Sequence, residues 1–231
     1  MLVKKGFGSA AHPRFRAVYP HLILCADTDA MHRILVLALS LLAAAAPAHA
    51  GDVGIRVVDS SGTPLPDAVV TIHPAAGVPA GPIRFPWKLA MVQKNISFNP
   101  STLIVPVGAT VPFPNEDKVR HHVYSFSKPA KFEIKLFGHD ETRSYTFRTP
   151  GAVALGCNIH DRMSGFIKVV DTPFAMKTGA DGLSTIRSVT GGKARLTVWH
   201  PRLRARDNEV SFDIDVPADG DLAKRIQVAL R

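Results

Sequence analysis

Val153-Ala154-Leu155-Gly156-Cys157-Asn158-Ile159-His160-Asp161-Arg162-Met163 is the stretch from which the rest of the chain can be read. A short aliphatic run ends at Gly156, and a thiol, an imidazole and a thioether follow at intervals of three residues. If the run is a strand, Cys157 leaves its end, and a tight turn brings His160 and Met163 to the same point from other directions. A second imidazole source lies upstream, where Arg120-His121-His122-Val123 enters another strand-like run. Neighbouring residues of a strand face opposite sides, so only one of His121 and His122 is expected at that point.

Working outward, the pattern is β throughout. Alternating or β-branched runs between Gly, Pro and Asp turns cover 54–58, 68–73, 103–107, 110–113, 121–126, 145–148, 153–155, 166–170, 194–199 and 210–216. Short, evenly spaced runs of this kind predict sandwiches or barrels. Residues 222–230 are compatible with a last strand or a short helix, and no long amphipathic helix stands out. Residues 86–171 read as one compact domain. The segments on either side, 51–85 with about two strands and 172–231 with about four more, are each too small to close a core. Together they are expected to form a small sandwich into which the middle domain is inserted.

The chain has 231 residues, 46% of them hydrophobic, with 28 Lys and Arg against 19 Asp and Glu. That composition excludes a wholly disordered chain, and 2 cysteines exclude a disulfide scaffold. Met31-His32-Arg33, the apolar run 34–46 and Ala48-His49-Ala50 read as a secretory signal peptide over 31–50, cleaved before Gly51. Residues 1–30 then read as a start-site extension ahead of Met31. Without residues 1–50 the net charge falls from +9 to +6, and Cys157 becomes the sole cysteine. No stretch of that mature chain is long and apolar enough to span a bilayer, which takes about 20 residues. A single thiol in an oxidising compartment calls for an explanation, and metal coordination supplies one. Soft sulfur with imidazole selects copper, and two imidazoles, a thiolate and a weak axial thioether make a blue-copper electron-transfer site.

Cys-x-x-His-x-x-Met at 157–163, with His-x-Val at 121–123 after Asn115-x-Asp117, resembles a cupredoxin of the plastocyanin/amicyanin type. The short ligand loop is most similar to amicyanin, and the chain as a whole to the plastocyanin-like methylamine utilization proteins. The flanks resemble the two halves of a carboxypeptidase-regulatory-like, or transthyretin-like, sandwich. The resemblance implies an all-β fold: a Greek-key cupredoxin sandwich over 86–171 plus a small Ig/transthyretin-like sandwich from 51–85 and 172–231. It further implies one type 1 copper held by His121, Cys157, His160 and Met163, with His160 at the protein edge as the electron's exit. The chain would then be a periplasmic one-electron carrier without enzymatic activity. Its partners would be redox proteins such as a c-type cytochrome or a periplasmic dehydrogenase, reached through its basic surplus. The chain departs from the family at His122, where an Asn commonly follows the first ligand; His122 is expected beside the site or on the surface.

Other readings remain on the same residues. A copper-delivery protein would use the same ligands without redox turnover, and a metal-free interaction module would leave them empty. Singly, a Cys or Met is commonly core filler and a strand His a structural residue. Haem attachment lacks the second cysteine of its motif, and the thioether argues against zinc. His73, His139 and His200 fall outside the constellation, so the histidine clusters of a multicopper oxidase are missing. Nucleic acid is not expected as a partner of an exported protein.

Overall fold

The computed structural model describes residues 50–218 and 220–231. The signal peptide and start-site extension expected over 1–50 lie outside these residues, Ala50 apart. The chain opens with β1 (Ala50–Val58) and β2 (Val69–Pro74), followed by the short β3 (Val92–Gln93) and β4 (Phe98–Asn99). Next come β5 (Thr102–Pro106), β6 (Thr110–Pro114), β7 (His121–Ser127), β8 (Ala130–Phe137), β9 (Thr142–Thr146), β10 (Gly151–Gly156) and β11 (Ser164–Val170). The chain ends with β12 (Ala175–Lys177), β13 (Leu183–Thr190), β14 (Gly192–Trp199), β15 (Glu209–Val216) and β16 (Leu222–Gln227). The fold is all-β, with a single turn of 3-10 helix at Arg206–Asn208 among the described residues.

Strands from the two chain ends pair with one another. β1 lies between β13, antiparallel, and β16, parallel, and a four-stranded sheet runs β12-β2-β14-β15. The strands between them make a five-stranded sheet, β5-β11-β10-β7-β8, faced by the pairs β3–β4 and β6–β9. Period-two alternation explains both sets. In β1, Val53, Ile55 and Val57 are fully buried while Arg56 is exposed. In β8, exposed Lys131, Glu133 and Lys135 alternate with half-buried Phe132 and Ile134. Lysines on such an edge strand discourage further strand pairing.

β2, β5 and β11 are largely buried on both faces because they lie between cores. Leu103 and Val105 of β5 join one core with Phe113, Val123, Phe137, Phe147, Val153 and Ile167. Val70 and Ile72 of β2 join another with Val53, Ile55, Leu196, Val198 and Ile214. Val69, next to Val70, and Ile104, between Leu103 and Val105, meet Val170, Ala175 and Trp199 in a third cluster that joins the two sets of sheets. Lys168 reinforces this seam, pairing with Glu209 and lying 5.8 Å over the Trp199 ring.

The pattern of runs in the sequence omits the two-residue strands β3 and β4 and three further strands. Strand β8 goes beyond it, and so does β13, which starts directly after the turn at Ala180-Asp181-Gly182. Residues 172–231 hold five strands rather than about four, since the three-residue β12 is too short to leave a period. Residues 222–227 are a strand: hydrogen bonding along β1 decides in favour of the extended form, and Ile226 enters the core.

Trp199 is 2% exposed at the centre of the joining cluster. Trp199→Ala should therefore lower the unfolding free energy by about 3–5 kcal/mol, read from urea denaturation. A loss under ~1 kcal/mol would show that the seam contributes little.

Candidate metal centre

The loop 157–163 is fixed at both ends by the β10–β11 ladder, in which Gly156 pairs with Ser164. Inside the loop, the Met163 N–H donates to the His160 carbonyl at 2.9 Å, closing the turn. On its other edge β10 meets β7, where Gly156 pairs with Tyr124. The first residue of β7 is His121, and the β7–β8 register shifts between His121 and Val123. A bulge of this kind re-aims side chains.

Three donors converge. The Cys157 Sγ lies 3.5 Å from His160 Nδ1 and 3.9 Å from His121 Nδ1, and all three donor atoms lie within 4.8 Å of one another. The two rings are 4.9 Å apart between centroids. His121 is fully buried, Cys157 is 5% exposed, and His160 is half-buried. Asp161 and Arg162 are exposed beside it. Met163 is buried in the same core cluster as Cys157, and the two line a cavity of about 500 Å³ with Tyr124, Phe126 and Leu155. The donor set suits a soft, imidazole-binding ion, because it offers thiolate and nitrogen and no carboxylate. Among the described residues this is the one such cluster, and His73, His139 and His200 stand apart from it.

His122 turns away from the cluster. It is 7% exposed, and its Nε2 lies 2.9 Å from Glu133 Oε1 on β8. Its Nδ1 is buried without a hydrogen-bond partner.

Two features of the centre go beyond the sequence reading. Asp117 Oδ2 lies 2.8 Å from His121 Nε2, so the ring's outer nitrogen is engaged and Nδ1 faces the thiol. That carboxylate also accepts the N–H groups of Asn95 (2.6 Å) and Ile96 (2.9 Å). Burial works to raise its pKa, but the donors Ile96, His121 and Asn95 outweigh it and hold the carboxyl below its usual range. Buried Asn115 shapes the loop, accepting the Asp117 N–H and donating to the Val119 carbonyl, both at 2.9 Å. The available signal was the Asp-x-x-x-His spacing after Asn115. The second feature is Gly156: a Cβ there would come within 2.6 Å of Tyr124 Cζ, so the tyrosine ring rests against backbone adjoining Cys157.

No family model and no curated protein matches the chain. Solved structures that overlay part of it include a cupredoxin, amicyanin variants and a Cu-containing nitrite reductase. A purple cupredoxin from Nitrosopumilus maritimus is 22% identical over 36% of this chain and 100% of its own, with a TM-score of 0.33. A single-site variant of amicyanin in its reduced Cu(I) form is 23% identical over 45% of this chain and 99% of its own, also at 0.33. A Cu-containing nitrite reductase from Thermus scotoductus SA-01 is 29% identical over 50% of this chain, with a TM-score of 0.35. This chain spans only 28% of that reductase.

Gly156→Ala should displace the Tyr124 ring and cost about 1–3 kcal/mol of stability, measured by chemical denaturation. Unchanged stability would mean that the ring moves aside without strain.

Proposed function

We propose that the chain is a type 1 copper protein that carries single electrons between redox partners and is not itself an enzyme. The observation that carries this reading is the convergence of His121 Nδ1, Cys157 Sγ and His160 Nδ1 within 4.8 Å of one another. His121, Cys157 and His160 would hold the ion, with Met163 as the weak axial donor. Copper bound there would supply a Cu(II)/Cu(I) couple.

The protein's own part is to keep the donors still. Cys157 and His160 sit on a loop closed by the β10–β11 ladder, and His121 is anchored by Asp117. Ligands held in this way need little rearrangement when the charge changes. Apolar surroundings and hydrogen bonds near the thiolate then tune the potential. His160, half-buried beside exposed Asp161 and Arg162, is the natural point of electron exit and partner contact. A basic net charge favours encounter with an acidic redox protein, such as a c-type cytochrome or a periplasmic dehydrogenase.

Periplasmic location follows from reading residues 31–50 as a signal peptide; no helix among the described residues is long and apolar enough to cross a membrane. We also read 86–171 as a cupredoxin domain inserted between 51–85 and 172–231, whose strands pair in a regulatory-like sandwich.

Copper-loaded protein should be intensely coloured through thiolate-to-copper charge transfer and should be reduced and reoxidised reversibly by a small cytochrome. Cys157→Ser should abolish the colour while circular dichroism stays native. Retained colour in that variant, or copper handed to an acceptor without electron flow, would contradict the proposal.

A further inference from the structure

The hydrogen bond on the far side of His121 has a chemical consequence. Neutral imidazole carries one N–H and one lone pair, and an ionised carboxylate can only accept. With Asp117 Oδ2 at 2.8 Å, the proton belongs on Nε2, which leaves the lone pair on Nδ1, 3.9 Å from Cys157 Sγ. The carboxylate cannot drift from this role. Its oxygens accept the Asn95 and Ile96 N–H groups, and the Asp117 backbone N–H donates to Asn115 Oδ1. Its side chain is 13% exposed and that of His121 fully buried, so water screens the contact weakly. His160 differs: among the described residues, its one side-chain hydrogen-bond contact is to Cys157 itself.

We propose that Asp117 is a positioning residue that locks the His121 tautomer and, through its negative charge, makes Nδ1 a stronger donor to the more highly charged copper state. This rests on the copper reading above. A carboxylate behind a ligand imidazole fixes ring orientation and raises ligand basicity. Extra negative charge near the ion stabilises Cu(II) more than Cu(I), since the attraction scales with ionic charge. Asp117 therefore lowers the reduction potential of the centre.

Two measurements on the full chain test this. In metal-free wild-type protein, nitrogen NMR of the imidazoles should show His121 as the Nε2–H tautomer, with that proton protected from exchange with water. An Nδ1–H tautomer would overturn the proposal without reference to copper or to any variant. The second measurement uses Asp117→Asn, which keeps the shape and one acceptor oxygen while removing the charge. It should still give the charge-transfer band, with Cu(II) affinity falling about 10–100-fold and Cu(I) affinity falling less. Each tenfold preferential loss of Cu(II) binding corresponds to a rise in potential of about 59 mV. An unchanged potential, or equal weakening of both states, would reduce Asp117 to a structural residue and overturn the proposal. Failure of the copper assignment would show differently, as wild-type protein without the charge-transfer band whatever its tautomer.

Discussion

The centre depends on one backbone constraint: the antiparallel pairing of β10 and β11 clamps both ends of the loop 157–163. A free seven-residue segment would scatter its side chains over many conformations, and fixing a backbone costs about 1–2 kcal/mol per residue. Here the ladder and the turn from Met163 N–H to the His160 carbonyl meet that cost before any ion arrives. His121 is then the only one of the three convergent donors that has to come from elsewhere in the chain. It comes from β7, which is hydrogen-bonded directly to β10, so the distance between donors is set by the spacing of neighbouring strands.

The larger architecture serves that rigidity. The core that holds Cys157 and Met163 includes Val123, Phe137, Phe147, Val153 and Ile167, drawn from both sides of the donor cluster. Its sheet is backed through Ile104, Val170 and Trp199 by the strands from the chain ends. A donor set built on packed strands has few alternative arrangements, because protein interiors resist small displacements. The exposed face of the loop carries Asp161 and Arg162 beside the half-buried His160.

The grouping of His121, Cys157 and His160 could be anticipated in the sequence because two of them lie within one short stretch and their chemistry is distinctive. The all-β class was legible from alternation. What could not be read were relations across strands. Asp117 is four residues from His121, but only the folded loop reveals that its carboxylate meets the ring. The contact of Tyr124 with Gly156 joins strands 32 residues apart. The pairing of Val53 with Leu222 spans nearly the whole described chain and leaves no local trace. β8 did carry a signal, in its alternating Lys131, Phe132, Glu133 and Ile134. Its half-buried apolar residues and charged partners resemble a solvated segment until β7 is seen to pair with it.

X-ray absorption at the copper edge of protein loaded with one equivalent of the metal reports the identity of the donors without assuming a function. The account predicts a first shell of one sulfur and two imidazole nitrogens, with any further sulfur weak and distant. A shell of nitrogen and oxygen alone, with the Cys157 thiol still free to react, would contradict it.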